Sequence, residues 1–169
     1  MLKRLARLRV PLGFVCSLAA IVFAHPTPPS FAWGFAVALV GEAIRVWAAG
    51  HLEKSREVTM SGPYRYSRHP LYVGSSVIAA GIAVAGASVP LAALITTYMV
   101  VTLTAAIRTE EAFLRRAFGD TYDAYAEKRA EPMQRRFSVA RALANREYRA
   151  VVGVLIGFAL LALKMRFSL

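Results

Sequence analysis

Cysteine and histidine are scarce in this chain. Cys16 is the only cysteine in 169 residues, so an intramolecular disulfide and a cysteine-rich metal site are excluded. The three histidines (His25, His51 and His69) are widely separated, and we expect no histidine-rich metal site. The chain also lacks a glycine-rich Rossmann fingerprint, a P-loop and an HExxH motif. These absences argue against the common soluble nucleotide-binding and zinc-hydrolase folds.

Acidic residues are also few. The chain has 10 Asp and Glu against 21 Lys and Arg, and its net charge is +11. Hydrophobic residues make up 57% of the sequence and the mean hydropathy is +0.46, which is too apolar for an ordinary soluble domain. A nucleic-acid-binding protein would be basic but would not carry long apolar runs, so we expect no nucleic-acid partner. Apolar runs with clustered positive charge indicate an integral membrane protein.

Five apolar segments have lengths near those that a membrane span needs, and no strand-like alternation is present. We therefore predict an all-α, integral membrane helical bundle of about five transmembrane helices, forming a single domain over residues 1–169. The first segment could instead be a cleavable signal peptide. In the fifth segment, Gly153 and Gly157 have the GxxxG spacing that allows close helix approach. The five segments are residues 10–24, 31–52, 70–87, 90–107 and 151–163.

Lys and Arg placement predicts the orientation. Three regions are basic: the N-terminus, the loop after the second segment, and the long stretch 108–149. The loops on the other side, 25–30 and 86–90, carry no Lys or Arg. Since basic loops stay in the cytoplasm, we expect a bacterial inner membrane protein with a cytoplasmic N-terminus and active site, and an outside C-terminus. Within 108–149 we predict a cytoplasmic helical segment that is broken at Gly119.

Glu42 and Arg45 lie inside the second segment. Ionisable residues are costly in lipid and usually face a protein interior or a water-filled cavity. They could line a polar substrate pocket. They could also neutralise each other at i,i+3 spacing and fix helix packing.

Two polar clusters flank the predicted hairpin of segments three and four. The stretch "GPYRYSRHPLYVG" (62–74) precedes the third segment, and "RTEE" (108–111) follows the fourth. Taken alone, the first could be a basic, aromatic membrane anchor. Because both clusters fall at the cytoplasmic ends of one hairpin, we expect them to converge. Cations, a carboxylate pair, an imidazole and phenol rings around one point suit a zwitterionic ligand.

These two stretches, the second extended as "RTEEAFLRRAFGDTYDAYAEKR", resemble the isoprenylcysteine carboxyl methyltransferase family, which is grouped with the membrane phospholipid methyltransferases. The resemblance implies an all-helical membrane enzyme that uses S-adenosylmethionine. In the family, a basic-valine-proline stretch often follows the second block, where this chain reads "KRAEPMQRRF". The resemblance implies cofactor-binding roles for Tyr64, His69, Tyr72, Glu110 and Glu111, and catalytic roles for Arg68, Arg108 and Glu111.

The expected function is methyl transfer to a lipid-like or isoprenylated acceptor from the bilayer. Carboxyl O-methylation and lipid amine N-methylation both remain open at this point. An ionised carboxylate needs only an Arg to orient it, whereas an ammonium group needs a base. Two alternative functions remain. The protein could be an NADPH-dependent oxidoreductase, because some sterol-reductase-like membrane proteins have an R-H-P-x-Y block similar to the one in this chain. It could also be a non-catalytic lipid-binding membrane protein.

Overall fold

The computed structural model describes residues 18–19, 22–131 and 133–167. Its elements are all helical, and no strand occurs in these ranges, which confirms the all-α bundle. The predicted first span and the basic N-terminus lie almost entirely outside the described residues. Whether the chain has five spans and a single domain therefore stays a prediction.

Five helices form the described part. They are α1 (Pro28–Ala49), α2 (Pro70–Gly86), α3 (Val89–Ala126), α4 (Val139–Ala144) and α5 (Tyr148–Phe167), with a 3-10 turn at Gly62–Arg65. In that part, α1, α3 and α5 are long and apolar enough to cross a membrane. With 17 residues, α2 lies at the lower limit of about 17. The second to fifth predicted segments are thus present as helices.

Helix α3 extends well beyond its apolar part. It has 38 residues, so the predicted fourth span and the start of the polar segment are one continuous helix. At Gly119 the backbone turns to φ 45° and ψ −124°, and the chain resumes helical geometry afterwards. This left-handed φ favours glycine, because a Cβ would be strained there. The break predicted at Gly119 is therefore confirmed, and it redirects the last turns of α3 toward the cavity described below.

Two glycine pairs bring α1 and α2 into backbone contact. A Cβ on Gly34 would meet the Gly81 carbonyl oxygen at 2.4 Å, and one on Gly41 would meet the Gly74 oxygen at 2.7 Å. Only hydrogen fits at these positions, so the helices approach more closely than larger residues would allow. By contrast, a Cβ on Gly153 would find no described atom within 4 Å. The close approach in this structure is therefore between α1 and α2.

An apolar core fixes the end of the bundle away from the cavity. The Phe158 ring of α5 packs edge-on against Phe31 and Phe35 of α1, with centroids 5.6 and 5.0 Å away. Ala38 of α1 and Ala85 of α2 are fully buried in the same cluster. Aromatic edge contacts add to the burial of apolar area. The core holds α1, α2 and α5 together, so their opposite ends can frame a site.

Candidate active site

A cavity of about 750 Å³ lies where the two polar stretches meet. Its walls come from the end of α1, the start of α2, the middle of α3 and the turn before α5, and the loop 52–59 also lines it. This volume falls in the range of about 300–1,000 Å³ that small-molecule sites occupy. Both polar and apolar residues line it, the apolar ones mainly from α3.

His69 stands at the centre of the polar part. Pro70 begins α2, which places His69 at the N-cap with its imidazole pointing toward α3. There, Nε2 lies 3.2 Å from Glu111 Oε1, and Nδ1 lies 3.8 Å from Glu110 Oε2. The His69 and Tyr72 rings are stacked with centroids 5.6 Å apart. The predicted convergence of the two stretches is therefore present in the structure.

Arg68 completes this cluster. Its Nη1 lies 3.0 Å from Glu111 Oε1, so this carboxylate lies between a guanidinium and an imidazole. Burial tends to lower the pKa of His69, but the hydrogen bonds and charges of Glu110 and Glu111 outweigh it, and the pKa is raised. The imidazole is therefore biased toward its protonated form, which suits contact with anionic groups.

Tyr64 is buried in the cavity wall, and the end of α3 holds its backbone. The Tyr125 hydroxyl donates hydrogen bonds to the carbonyl oxygens of Tyr64 at 2.7 Å and Ser67 at 3.4 Å. This contact is possible because the break at Gly119 turns the last part of α3 back toward the loop. Burial, followed by the charge of Glu110, raises the pKa of Tyr64, so its phenol stays neutral at physiological pH.

Arg45 lies in the cavity wall deeper along α1. Its Nε donates to Glu147 Oε1 at 2.7 Å, and its Nη1 donates to Ser75 Oγ and to the Leu71 carbonyl oxygen. The predicted partner, Glu42, is instead buried with no hydrogen-bond partner for either carboxylate oxygen among the described residues. Arg45 therefore lines the cavity, whereas Glu42 is not part of its wall, and the substrate-pocket role of both residues stays a prediction.

Arg108 does not join the cluster. It is exposed on α3 and is not part of the cavity wall, although Glu110 is. On a helix, neighbouring residues point about 100° apart, so the sequence proximity of "RTEE" does not bring all four side chains to one side. The catalytic role implied for Arg108 stays a prediction, and the structure gives it no contact with the other predicted residues.

The sequence did not indicate a second set of residues that support the site. They lie in residues 133–141, here called the return segment, and just after it. Both Nη atoms of Arg135 contact the Glu57 carboxylate, at 2.6 and 2.8 Å. The Ser138 amide and the Arg141 guanidinium donate to the Gly50 carbonyl oxygen at 3.1 and 2.9 Å. The return segment thus holds the cavity-lining loop 52–59 in position. It overlaps the stretch "KRAEPMQRRF", where this chain lacks the basic-valine-proline sequence of the family that it resembles.

No metal site is indicated in the part of the chain that the structure describes. There, no group of three or more His, Cys, Asp or Glu side chains is arranged to hold a metal ion. The cluster around His69 contains one imidazole and two carboxylates, but the Glu111 carboxylate already forms an ion pair with Arg68. The cluster thus presents charges of both signs to the cavity.

Comparison with known proteins identifies the central part of the chain. Residues 42–121 match the phospholipid methyltransferase family. The match confirms the resemblance read from the two polar stretches, and it contains both Arg45 and the cluster around His69. It supports a membrane methyltransferase of the lipid and isoprenylcysteine type. The return segment and α5 lie beyond the matched residues.

Two curated relatives are similar over part of their length. The chain is 36% identical over 97 residues to the nickel-cobalt-cadmium resistance protein NccN of Alcaligenes xylosoxydans xylosoxydans, covering 56% of this chain and 44% of that protein. It is 30% identical over 119 residues to the cobalt-zinc-cadmium resistance protein CzcN of Cupriavidus metallidurans, covering 65% and 54%. The chain thus spans about half the length of these relatives. No solved structure matches it significantly.

Proposed function

We propose that this protein is an S-adenosylmethionine-dependent methyltransferase that acts on a lipid-like or isoprenylated acceptor at the cytoplasmic face of the bacterial inner membrane. The observation that carries the proposal is the composition of the cavity. One part holds charges of both signs and aromatic rings near the end of the apolar segments. The other continues along the apolar part of α3, where a hydrocarbon chain can enter from the bilayer.

The residues of the polar part fit S-adenosylmethionine, which has a carboxylate, an ammonium group, a ribose and an adenine ring. Arg68 and protonated His69 can contact a carboxylate, and Glu110 can accept from an ammonium or ribose hydroxyl group. The faces of Tyr64 and Tyr72 can contact a sulfonium or a planar base. When bound, S-adenosylmethionine supplies an electrophilic methyl group on sulfur.

The apolar wall fits the acceptor. Seven residues of α3 between Tyr98 and Ala106 line it, and all but Thr102 present methyl, methylene or ring carbon: Tyr98, Met99, Val101, Leu103, Ala105 and Ala106. The Thr102 hydroxyl donates to the Tyr98 carbonyl oxygen at 2.7 Å, so its polar atom has a partner within the helix. A lipid or prenyl chain can therefore lie along α3 without leaving buried polar groups unpaired.

The protein contributes mainly alignment and the exclusion of water, since the methyl group is transferred by in-line displacement. A carboxylate acceptor needs an oriented cation, which Arg45 or Arg68 can supply. An amine acceptor must first lose a proton, which the Glu110 or Glu111 carboxylate can accept. An acceptor screen with phosphatidylethanolamine and S-farnesylcysteine, using methyl-labelled cofactor, distinguishes the two classes.

The cofactor assignment is tested by ligand-induced stabilisation of the detergent-purified protein. S-adenosylhomocysteine should raise the melting temperature in a concentration-dependent way, because it binds the folded state. His69→Ala and Glu111→Ala should abolish the shift, whereas Glu131→Ala, an exposed glutamate outside the cavity, should retain it. No shift with millimolar S-adenosylhomocysteine would count against the proposal. A shift with NADPH alone would favour the oxidoreductase alternative.

The names of the two relatives suggest a second measurement. They are described as metal-resistance proteins, and we propose that any shared contribution of this chain to resistance depends on methyl transfer. Growth of a deletion strain in nickel, cobalt or cadmium, complemented by wild type or His69→Ala, tests this. Equal rescue by both would separate resistance from the proposed activity.

A further inference from the structure

A partly buried ion pair joins α1 to the turn just before α5 at the cavity wall. The Arg45 side chain is 20% exposed and that of Glu147 is 8% exposed, and Nε and Oε1 are 2.7 Å apart. Arg45 lies four residues before the end of α1, about 6 Å into the apolar segment. A guanidinium at such depth is costly unless a partner compensates its charge.

The backbone fixes Glu147 in place. It follows Arg146, whose φ of 60° turns the chain between α4 and α5. Its amide donates to the Ala142 carbonyl oxygen at 3.1 Å, and its own carbonyl accepts from Ala150 at 2.9 Å as α5 begins. Just before it, the Asn145 side chain donates to two carbonyl oxygens at the end of α1, each at 2.9 Å. The backbone of Glu147 is therefore held beside α1, where its carboxylate accepts from Arg45.

This arrangement determines which part of the guanidinium can meet a ligand. The hydrogen bonds from Arg45 to described residues use Nε, toward Glu147, and Nη1, toward Ser75 and Leu71. Nη2 makes no hydrogen bond to a described residue, and Arg45, Ser75 and Glu147 all line the cavity, so Nη2 is available to a ligand there. Arginine is suited to this task because its planar fork keeps the remaining donor in a fixed direction once the others are held.

We propose that Glu147 is a positioning residue for the methyl acceptor: it holds Arg45 so that Nη2 donates to an oxygen of the acceptor head group. This proposal rests on the proposed methyltransferase function and adds to it the polar contact made by the acceptor. The oxygen belongs to a phosphate if the acceptor is a phospholipid, or to a carboxylate if it is a prenylated cysteine. The acceptor head lies near Arg45, and its chain runs along the apolar wall of α3.

The test separates acceptor binding from cofactor binding. Glu147→Gln keeps the side-chain shape but removes its charge, and Glu131→Gln is the matched exposed control. Methyl transfer is measured with phosphatidylethanolamine vesicles and with S-farnesylcysteine in detergent, and the substrate that is methylated gives the KM. We expect Glu147→Gln to raise the acceptor KM about tenfold or more, as loss of a well-placed charged hydrogen bond would. The Kd of S-adenosylhomocysteine should stay within about twofold of the control.

Two further variants keep the proposal falsifiable if Glu147→Gln folds poorly. Arg45→Lys keeps the positive charge but loses the planar guanidinium with its several fixed donors, and it should raise the acceptor KM as Glu147→Gln does. The exchange Arg45→Glu with Glu147→Arg should regain thermal stability without regaining the acceptor KM. An unchanged acceptor KM, a parallel loss of cofactor affinity and stability, or recovery of KM in the exchange would each overturn the positioning role. Failure of the wild type to bind S-adenosylhomocysteine or to methylate either substrate would instead overturn the proposed function.

Discussion

Gly74→Ala should destabilise the protein through the contact between α1 and α2. A Cβ on Gly74 would lie 2.5 Å from Arg45 Cγ, 2.7 Å from the Gly41 carbonyl oxygen and 3.1 Å from the Arg45 backbone nitrogen. Two of these atoms belong to the backbone of α1, so no change of rotamer can relieve the clash. To restore an ordinary contact of about 3.5 Å, the helices would have to separate by roughly 0.8 Å.

The magnitude follows from a matched comparison with Gly157→Ala in α5. Both substitutions gain up to about 1 kcal/mol from the higher helix propensity of alanine. At Gly157 no described atom lies within 4 Å of the new Cβ, whereas at Gly74 overpacking costs about 1–3 kcal/mol. Because the propensity gain cancels in the difference, Gly74→Ala should be less stable than Gly157→Ala by about 1–3 kcal/mol.

Reversible unfolding in detergent, followed by circular dichroism as denaturant is added, measures this difference. The same Cβ would press on Arg45, so Gly74→Ala should also weaken acceptor binding more than Gly157→Ala does. Equal free energies of unfolding for the two variants would refute the close approach of α1 and α2. The expected loss of stability in Gly74→Ala, with acceptor binding equal to that of Gly157→Ala, would leave the helix contact in place but refute its connection to Arg45.

Three further predictions concern the cavity. His69→Gln should remove a pH-dependent part of the free energy of unfolding. Because the pKa of His69 is raised in the folded state, the stabilisation by protonated His69 is full below about pH 6.5 and is lost as the pH rises through the folded-state pKa. The melting temperatures of wild type and His69→Gln should therefore converge at alkaline pH. Arg135→Ala should loosen the return segment and weaken S-adenosylhomocysteine binding, measured by calorimetry, whereas the exposed Arg136→Ala should not. Tyr125→Phe should lose a hydrogen bond of 2.7 Å and about 0.5–1.5 kcal/mol of stability, whereas Tyr66→Phe, at an 83% exposed position, should be neutral in the same unfolding assay.

Local signals in the sequence predicted the helices well. Membrane spans depend on the composition of contiguous segments, so α1, α2, α5 and the apolar part of α3 could be found without tertiary information. Gly119 marked a break because few residues other than glycine adopt its backbone conformation readily. The polar stretch was predicted to be helical up to Gly119, but its continuity with the fourth span was missed, since polarity indicates only where a helix leaves the apolar phase and not where it ends.

The cluster around His69 was predictable because its members lie at the ends of a short hairpin. When two helices are joined by a tight turn, their far ends are neighbours, and residues 68–72 and 110–111 must then face one another. Arg108 shows the limit of this reasoning, because hairpin geometry predicts the depth of a residue but not the side of the helix on which it lies. The roles of these residues in binding and catalysis stay predictions.

The Arg45–Glu147 pair could not have been found from sequence spacing. At i,i+3, Glu42 was the natural partner for Arg45, yet the structure joins Arg45 to a glutamate 102 residues later. The pairing depends on how α5 enters the bundle, which in turn depends on the return segment and on the capping of α1 by Asn145. Because Glu147 and the return segment lie beyond residues 42–121, the part of the cavity that they complete is outside the family match. The cluster around His69, by contrast, lies within the matched residues, so the contacts of Glu147 depend on a part of the chain that the family match does not describe.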